Sequence, residues 1–221
     1  MSNILYSISV PPTSGRSPQG AVVLLHGWGA NCQDLAGLAD YMDLSDYQLV
    51  FPEAPFPHPY NPVGKMWYSF PQDYSFLGKS EFGDRADLST SRDRLIEFLT
   101  HFTETSNIPF SRIILGGFSQ GGAMTLDVGV RLPLAGLMIL SGYLHAPLQP
   151  QQASLPPTLM IHGRQDQVVP LQAAHQARDS LEAIGVTLNY QEYDMGHEIQ
   201  PIALRQIQSF VKEFLPIDNK P

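Results

Sequence analysis

Apolar residues follow two rhythms along this chain. Short, mostly apolar runs fall at residues 21–25, 48–51, 112–115, 137–140 and 158–162, with a further one at 187–193. Runs of this length, rich in Val, Ile and Leu, are what strands covered on both faces look like. Between most of them apolar residues recur at helical spacing. Residues 88–102 place Leu88, Leu95, Ile96, Leu99 and Phe102 on one side, and 121–132, 171–184 and 202–214 repeat the pattern. Strand and helix in alternation predict a mostly parallel central sheet with helices on both faces, joined by right-handed crossovers. Residues 4–10 alternate instead, with Ile4, Tyr6, Ile8 and Val10 on one side, which predicts a half-buried edge strand. Residues 11–20, rich in Pro, Ser and Gly, predict a loop. With no internal repeat, charge run or linker, residues 1–221 read as a single domain.

One segment breaks the rhythm. Residues 54–84 contain five prolines, among them Pro55 and Pro71, and a series of aromatic rings. Long loops inside compact domains are usually functional or disordered, and this one is too aromatic for disorder. It is expected over one end of the sheet as an active-site loop region, with Trp67, Phe70, Tyr74 and Phe76 as walls of an apolar substrate pocket. The alternative is that these rings pack into the core beneath the loop.

Composition narrows the function classes. A net charge of −8 with no basic cluster argues against a nucleic-acid partner, and the acidity is expected to disfavour anionic acyl substrates. No stretch reaches the ~18 apolar residues of a membrane span, so stable membrane anchoring is not expected. Residues 1–10 lack the basic and long apolar parts of a signal peptide. The single cysteine, Cys32, excludes an intramolecular disulfide and fits a reducing compartment. The expected location is cytoplasmic. Cys32 itself reads as a structural or surface thiol, its reactivity open because it begins a predicted helix.

The chemistry is concentrated at Gly117-Phe118-Ser119-Gln120-Gly121, a Gly-x-Ser-x-Gly pentapeptide between a predicted strand and a predicted helix. That context places the serine on a sharp strand-to-helix turn, the nucleophile position of the α/β-hydrolase fold. The turn needs small neighbours, and the helix N-terminus beneath it favours a developing anion. The competing reading is a turn in which Ser119 merely caps the helix.

A serine needs a base, and on this fold acid and histidine follow the serine in that order. His145, His162, His175 and His197 qualify by order. His145 comes too early to leave room for an acid in a later loop, His162 closes a strand as a packed residue, and His175 lies within a helix. His197 follows the last strand, at the sheet end where ligands bind. Among Asp127, Asp166, Asp179, Glu182, Glu192 and Asp194, the loop position after a strand favours Asp166 as the group that holds the His197 tautomer. The amide N–H groups of Gln120 and Trp28 are expected to form the oxyanion hole, the latter from His26-Gly27-Trp28-Gly29 after the first buried strand. His197-Glu198 lacks the His-Glu-x-x-His spacing, so no metal is expected.

Five blocks of the sequence resemble the phospholipase/carboxylesterase family that includes the acyl-protein thioesterases. They are Leu24-Leu25-His26-Gly27-Trp28-Gly29, Phe51-Pro52-Glu53-Ala54-Pro55, Gly117-Phe118-Ser119-Gln120-Gly121-Gly122-Ala123-Met124, His162-Gly163-Arg164-Gln165-Asp166-Gln167-Val168-Val169-Pro170 and Met195-Gly196-His197-Glu198-Ile199. Met66-Trp67-Tyr68-Ser69 is similar to a family stretch in which Asp is usual where Ser69 stands. The resemblance implies hydrolysis of carboxylic esters without a cofactor, with acyl thioesters and lysophospholipids as alternative substrates. It carries Ser119, Asp166, His197 and the amides of Trp28 and Gln120 into the same roles. It also implies pairing into a homodimer, for which no residue gives a sign. A non-catalytic binding protein on the same scaffold is the rival reading, and the intact Ser119, Asp166 and His197 speak against it.

Overall fold

The computed structural model describes residues 4–70, 82 and 84–217. Its elements in chain order are β1 (Ser7–Val10), β2 (Ala21–Leu25), α1 (Cys32–Ala36), β3 (Gln48–Pro52), β4 (Phe56–Pro57), β5 (Lys65–Met66), α2 (Ala86–Ser106), β6 (Ile113–Phe118), α3 (Gln120–Gly129), β7 (Gly136–Leu140), β8 (Thr158–Gly163), α4 (Leu171–Ala183), β9 (Leu188–Tyr193) and α5 (Pro201–Phe214). The main sheet has seven strands in the order β1-β3-β2-β6-β7-β8-β9, with β1 antiparallel to β3 and the other pairs parallel. This is the α/β-hydrolase fold.

Alternate residues of the same strands feed two separate cores. Val23, Leu25, Ile113, Leu115 and Ile139 pack with Leu95 and Leu99 of α2, Met124 of α3 and Ala177 of α4. Val22, Leu24, Ile114, Met138 and Leu159 pack on the other face with Leu35 of α1 and Ile207 and Val211 of α5. Each fully buried aliphatic side chain contributes ~1.5–3 kcal/mol, so apolar residues on both strand faces are what holds helices on both sides.

The edge strand differs from its predicted phase. Leu5 is buried while Tyr6 is 63% exposed, and β1 begins only at Ser7. Leu5 therefore joins the core as part of the chain leading into the strand, and the alternation holds only for the last four residues. The 54–84 region also carries regular structure, since β4 and β5 form an antiparallel ribbon paired Phe56↔Met66 and Pro57↔Lys65.

The chain passes from β2 to β3 on one side and then returns to β6 on the other side of β2. This reversal opens a crevice at the carboxyl ends of β2 and β6, the place where open α/β sheets bind ligands. Leu25 pairs with Gly117 at that end, so the residues that follow each strand meet there.

Candidate active site

Ser119 leaves β6 with φ 55 and ψ −117 and stands at the N-cap of α3, where its side chain makes no capping bond. The capping alternative is thereby set aside. A positive φ at serine is strained by ~1–3 kcal/mol, and such strain persists only where the surroundings enforce it. Here they do. The Ser119 amide donates to the Leu140 carbonyl at 2.9 Å. A Cβ on Gly117 would overlap the backbone of Gly121, and one on Gly121 would overlap the Leu25 carbonyl. Both flanking positions must therefore lack side chains, and α3 sits directly on β2.

His197 and Asp166 come together as expected. The His197 Nδ1–H donates to Asp166 Oδ2 at 2.7 Å, which leaves Nε2 free to accept a proton. The second oxygen, Oδ1, accepts from the amides of Val168 and Val169 at 2.9 and 2.8 Å. Burial pushes the Asp166 carboxyl up, but the His197 bond and these two amides outweigh it and hold the group below its ordinary value. The His197 ring lies against Phe118, with centroids 4.7 Å apart, next to Ser119 in the chain. Among the described residues the Ser119 hydroxyl has no hydrogen-bond partner; in free hydrolases the serine–histidine bond is commonly long and tightens when substrate arrives.

The loop after β2 reaches the serine, since a Cβ built on Gly27 would lie 3.3 Å from the Ser119 Cβ. Among the described residues the amide N–H groups of Trp28 and Gln120 have no acceptor, as an oxyanion hole requires. The loop is held rigid from several sides. The Gly29 amide donates to the Lys65 carbonyl and the Lys65 amide to the Ala30 carbonyl, both at 2.8 Å. The buried His26 ring accepts from the Ala54 amide through Nε2, while Nδ1–H donates to the Gly27 carbonyl. Burial pushes its pKa down and keeps the ring neutral.

The expected pocket walls divide three ways. Trp67 is corrected: it has no accessible surface, its indole N–H donates to the His26 carbonyl at 2.9 Å, and its ring packs in the core. Proximity to the turn recruits it as a strut because a large ring with one donor satisfies a carbonyl that no strand partner reaches. Phe70 is half-buried and stands edge-on to the Trp28 ring at 5.6 Å, beside the loop that follows β2. Tyr74 and Phe76 lie outside the described residues.

Three side chains do work that the motifs did not signal. Gln120, expected to serve through its amide alone, is fully buried and braces two residues of the opposite segment. Its Oε1 accepts from the Trp67 amide at 2.9 Å, and its Nε2 donates to the Tyr68 carbonyl at 2.8 Å. Asp87, at the start of α2, accepts from the Ser69 amide at 2.8 Å, so a carboxylate reaches position 69 from another element. His162 lies under the Asp166 turn, its Nε2–H donating to the Val169 carbonyl at 2.9 Å. The signal for His162 and Gln120 was present as polar residues inside otherwise buried stretches.

Cys32 proves structural. It is buried, and its thiol donates to Glu53 Oε1 at 3.4 Å. Burial, the bond to Glu53 and its negative charge push the thiol up to about 11, so it stays protonated and unreactive at neutral pH. Among the described residues no group of three or more His, Cys, Asp or Glu is arranged to hold a metal, and no helix is long and apolar enough to cross a membrane.

Comparison with known proteins agrees with this geometry. The model of the phospholipase/carboxylesterase family matches residues 11–215. The chain is 32% identical to acyl-protein thioesterase 1 of Neurospora crassa over 213 residues, covering 88% of this chain and 86% of that protein. It is 29% identical to carboxylesterase SOBER1 of Arabidopsis thaliana over 188 residues, covering 78% of this chain and 79% of that one. The crystal structure of esterase PE8 superposes with a TM-score of 0.84 at 32% identity, covering 96% of this chain and 99% of that one. A family match over residues 11–215, which takes in every strand but the edge strand β1, settles the lineage: the chain belongs to the phospholipase/carboxylesterase family, hydrolases of the esterase and thioesterase type.

Proposed function

We propose that the protein is a cytoplasmic serine carboxylesterase that cleaves carboxylic esters through an acyl-enzyme on Ser119. The observation that carries this reading is the 2.7 Å bond from His197 Nδ1–H to Asp166, beside a serine on a strained turn. The Ser119 hydroxyl attacks the ester carbonyl carbon and passes its proton to His197 Nε2. Asp166 stabilises the imidazolium, and the amides of Trp28 and Gln120 hold the oxyanion. His197 then protonates the departing alcohol. Water, deprotonated by His197, attacks the acyl-enzyme and releases the carboxylic acid. A cytoplasmic location rests on the lone cysteine, which forms no intramolecular disulfide.

The 32% identity to a thioesterase supports acyl thioesters as the second substrate class, and the phospholipase/carboxylesterase family match supports lysophospholipids as a third. A series of p-nitrophenyl esters and acyl thioesters of increasing chain length ranks these classes. In the same series Ser119→Ala is expected to lower kcat by ~10⁴-fold or more and to abolish labelling by a fluorophosphonate. Undiminished turnover in that variant, or a wild-type protein that takes no label, would falsify the serine mechanism and leave a binding protein as the reading.

A further inference from the structure

A second cluster of buried charge lies about two turns along α3 from Ser119. Its centre is Asp127, 8% exposed. The carboxylate accepts from Arg92 Nε at 3.0 and 2.9 Å and from Arg92 Nη2 at 2.8 Å. Arg131 Nε and Nη2 reach it at 3.1 and 3.0 Å, and His145 Nε2 donates to it at 3.1 Å. The carboxylate is saturated, yet two guanidiniums face it, their side chains only 16% and 10% exposed. Among the described residues two guanidiniums therefore share one buried carboxylate, with the exposed Asp84 the other acid on the cavity wall, and such a largely buried excess of positive charge is costly unless an anion completes it.

The donors not used on Asp127 belong to side chains that line a cavity. Arg131 Nη2 also reaches Gln149 Oε1 at 3.3 Å. Among the described residues neither Arg92 Nη1 nor Arg131 Nη1 has an acceptor. Both side chains line a cavity of about 130 Å³ together with Ala123, Leu144, His145 and Gln149. That is several times the ~15 Å³ a single water needs, and a guanidinium fork matches the spacing of phosphate oxygens. The other charged group on this wall is Asp84, which is exposed and pairs with neither arginine. The His145 Nδ1 is already engaged by the Tyr68 hydroxyl at 3.2 Å.

We propose that this cavity binds a phosphate-type oxyanion between Arg92 and Arg131, either as the free ion or as the phosphate group of a small organic molecule. The site is separate from the ester chemistry and does not depend on Ser119.

Titration calorimetry at constant ionic strength tests it, with inorganic phosphate and glycerol 3-phosphate as probes and chloride as the reference. One equivalent of phosphate is expected to bind the wild-type protein and to raise its melting temperature. Arg131→Gln is expected to weaken binding ~10-fold or more. Because that variant also disturbs the Asp127 ion pairs, Gln149→Glu serves as the second: its carboxylate takes Arg131 Nη2 within the fold and occupies the anion's place. It is expected to melt no lower than wild type while losing the response to phosphate. Binding of glycerol 3-phosphate as tightly as phosphate assigns the site to an esterified phosphate; binding of inorganic phosphate alone assigns it to the free ion. No binding beyond chloride, or equal binding in both variants, overturns the proposal.

Discussion

Asp166 can steady the His197 ring only while its own carboxylate is held still. The amides of Val168 and Val169 hold Oδ1, and the turn that presents them is tied from beneath by His162. The His162 Nε2 also lies 3.6 Å from Asp166 Oδ2, while its Nδ1 is buried without a partner among the described residues. An orphaned buried acceptor costs ~1–3 kcal/mol, so a purely apolar filler would pack there more cheaply. We take the ring as a positioning residue for the Asp166 turn. His162→Gln keeps an N–H near the Nε2 position and is expected to retain kcat within a few-fold. His162→Met fills the volume without a donor and is expected to lower kcat by ~10-fold or more with KM little changed, since small misplacements of catalytic groups are expensive. Steady-state kinetics below both melting temperatures decide it, and a Met variant with wild-type kcat would reduce His162 to packing. The sequence pointed to a packed His162, to a serine on a sharp turn and to Asp166 and His197 as a pair, because motif spacing and chain order carry that information. It could not show the brace, because residues 162, 166 and 169 meet only through the shape of a turn.

At the scale of elements, the buried strands were legible because apolar residues on both faces leave an unbroken run, as β7 and β8 show. Their ends were less so. β6 runs on through Gly116, Gly117 and Phe118, which in sequence resemble the start of the turn, because Gly116 and Gly117 pair with Leu24 and Leu25 of β2. α2 extends to Ser106 and stops where Asn107 turns left-handed at φ 58. The β4–β5 ribbon was not legible, since two-residue strands rich in proline carry no periodic signal. The closeness of α3 to β2 makes a test of the turn itself. Gly121→Ala would set a methyl group against the Leu25 and His26 carbonyls, whereas Gly37→Ala meets nothing nearer than 3.6 Å at φ −60. Urea denaturation is expected to show Gly121→Ala destabilised by several kcal/mol, about the scale of overpacking in a rigid core, and Gly37→Ala neutral or ~0.4–1 kcal/mol more stable. Equal midpoints for the two variants would mean that the helix can retreat from the sheet.

At the scale of the whole molecule, the strand order that opens the crevice between β2 and β6 was invisible in the sequence, because hydrophobic patterning gives strands without their neighbours. What the assembled fold adds is a set of titrating groups locked in one protonation state. Burial pushes His26 and His162 below their ordinary 6.5, so they stay neutral while unfolded histidines take up protons. The unfolded chain then binds more protons as pH falls through 6.5, and stability declines. Burial raises the Asp87 carboxyl, but Arg85 and the Ser69 amide outweigh it and hold the group at about 2, against an ordinary 3.8. That contribution is complete above 3.8 and is lost as pH falls toward 2. Cys32 acts in the opposite sense: with its thiol pushed up to about 11 from 9.0, the folded chain keeps a proton that the unfolded chain gives up, and stability falls as pH rises from 9 to 11. Urea midpoints measured from pH 2 to 11 are therefore expected to form a plateau between about 7 and 9 with a stepped acid side. Asp87→Asn is expected to shrink the step below 3.8, to which Asp127 and Asp166 also contribute, and Cys32→Ala to shrink the alkaline limb, whose upper part Tyr47 and Tyr190 share. A midpoint that stays level from pH 7 to 5 would mean that His26 and His162 accept protons freely in the folded state, and the neutral His26 ring beneath the loop after β2 would have to be given up.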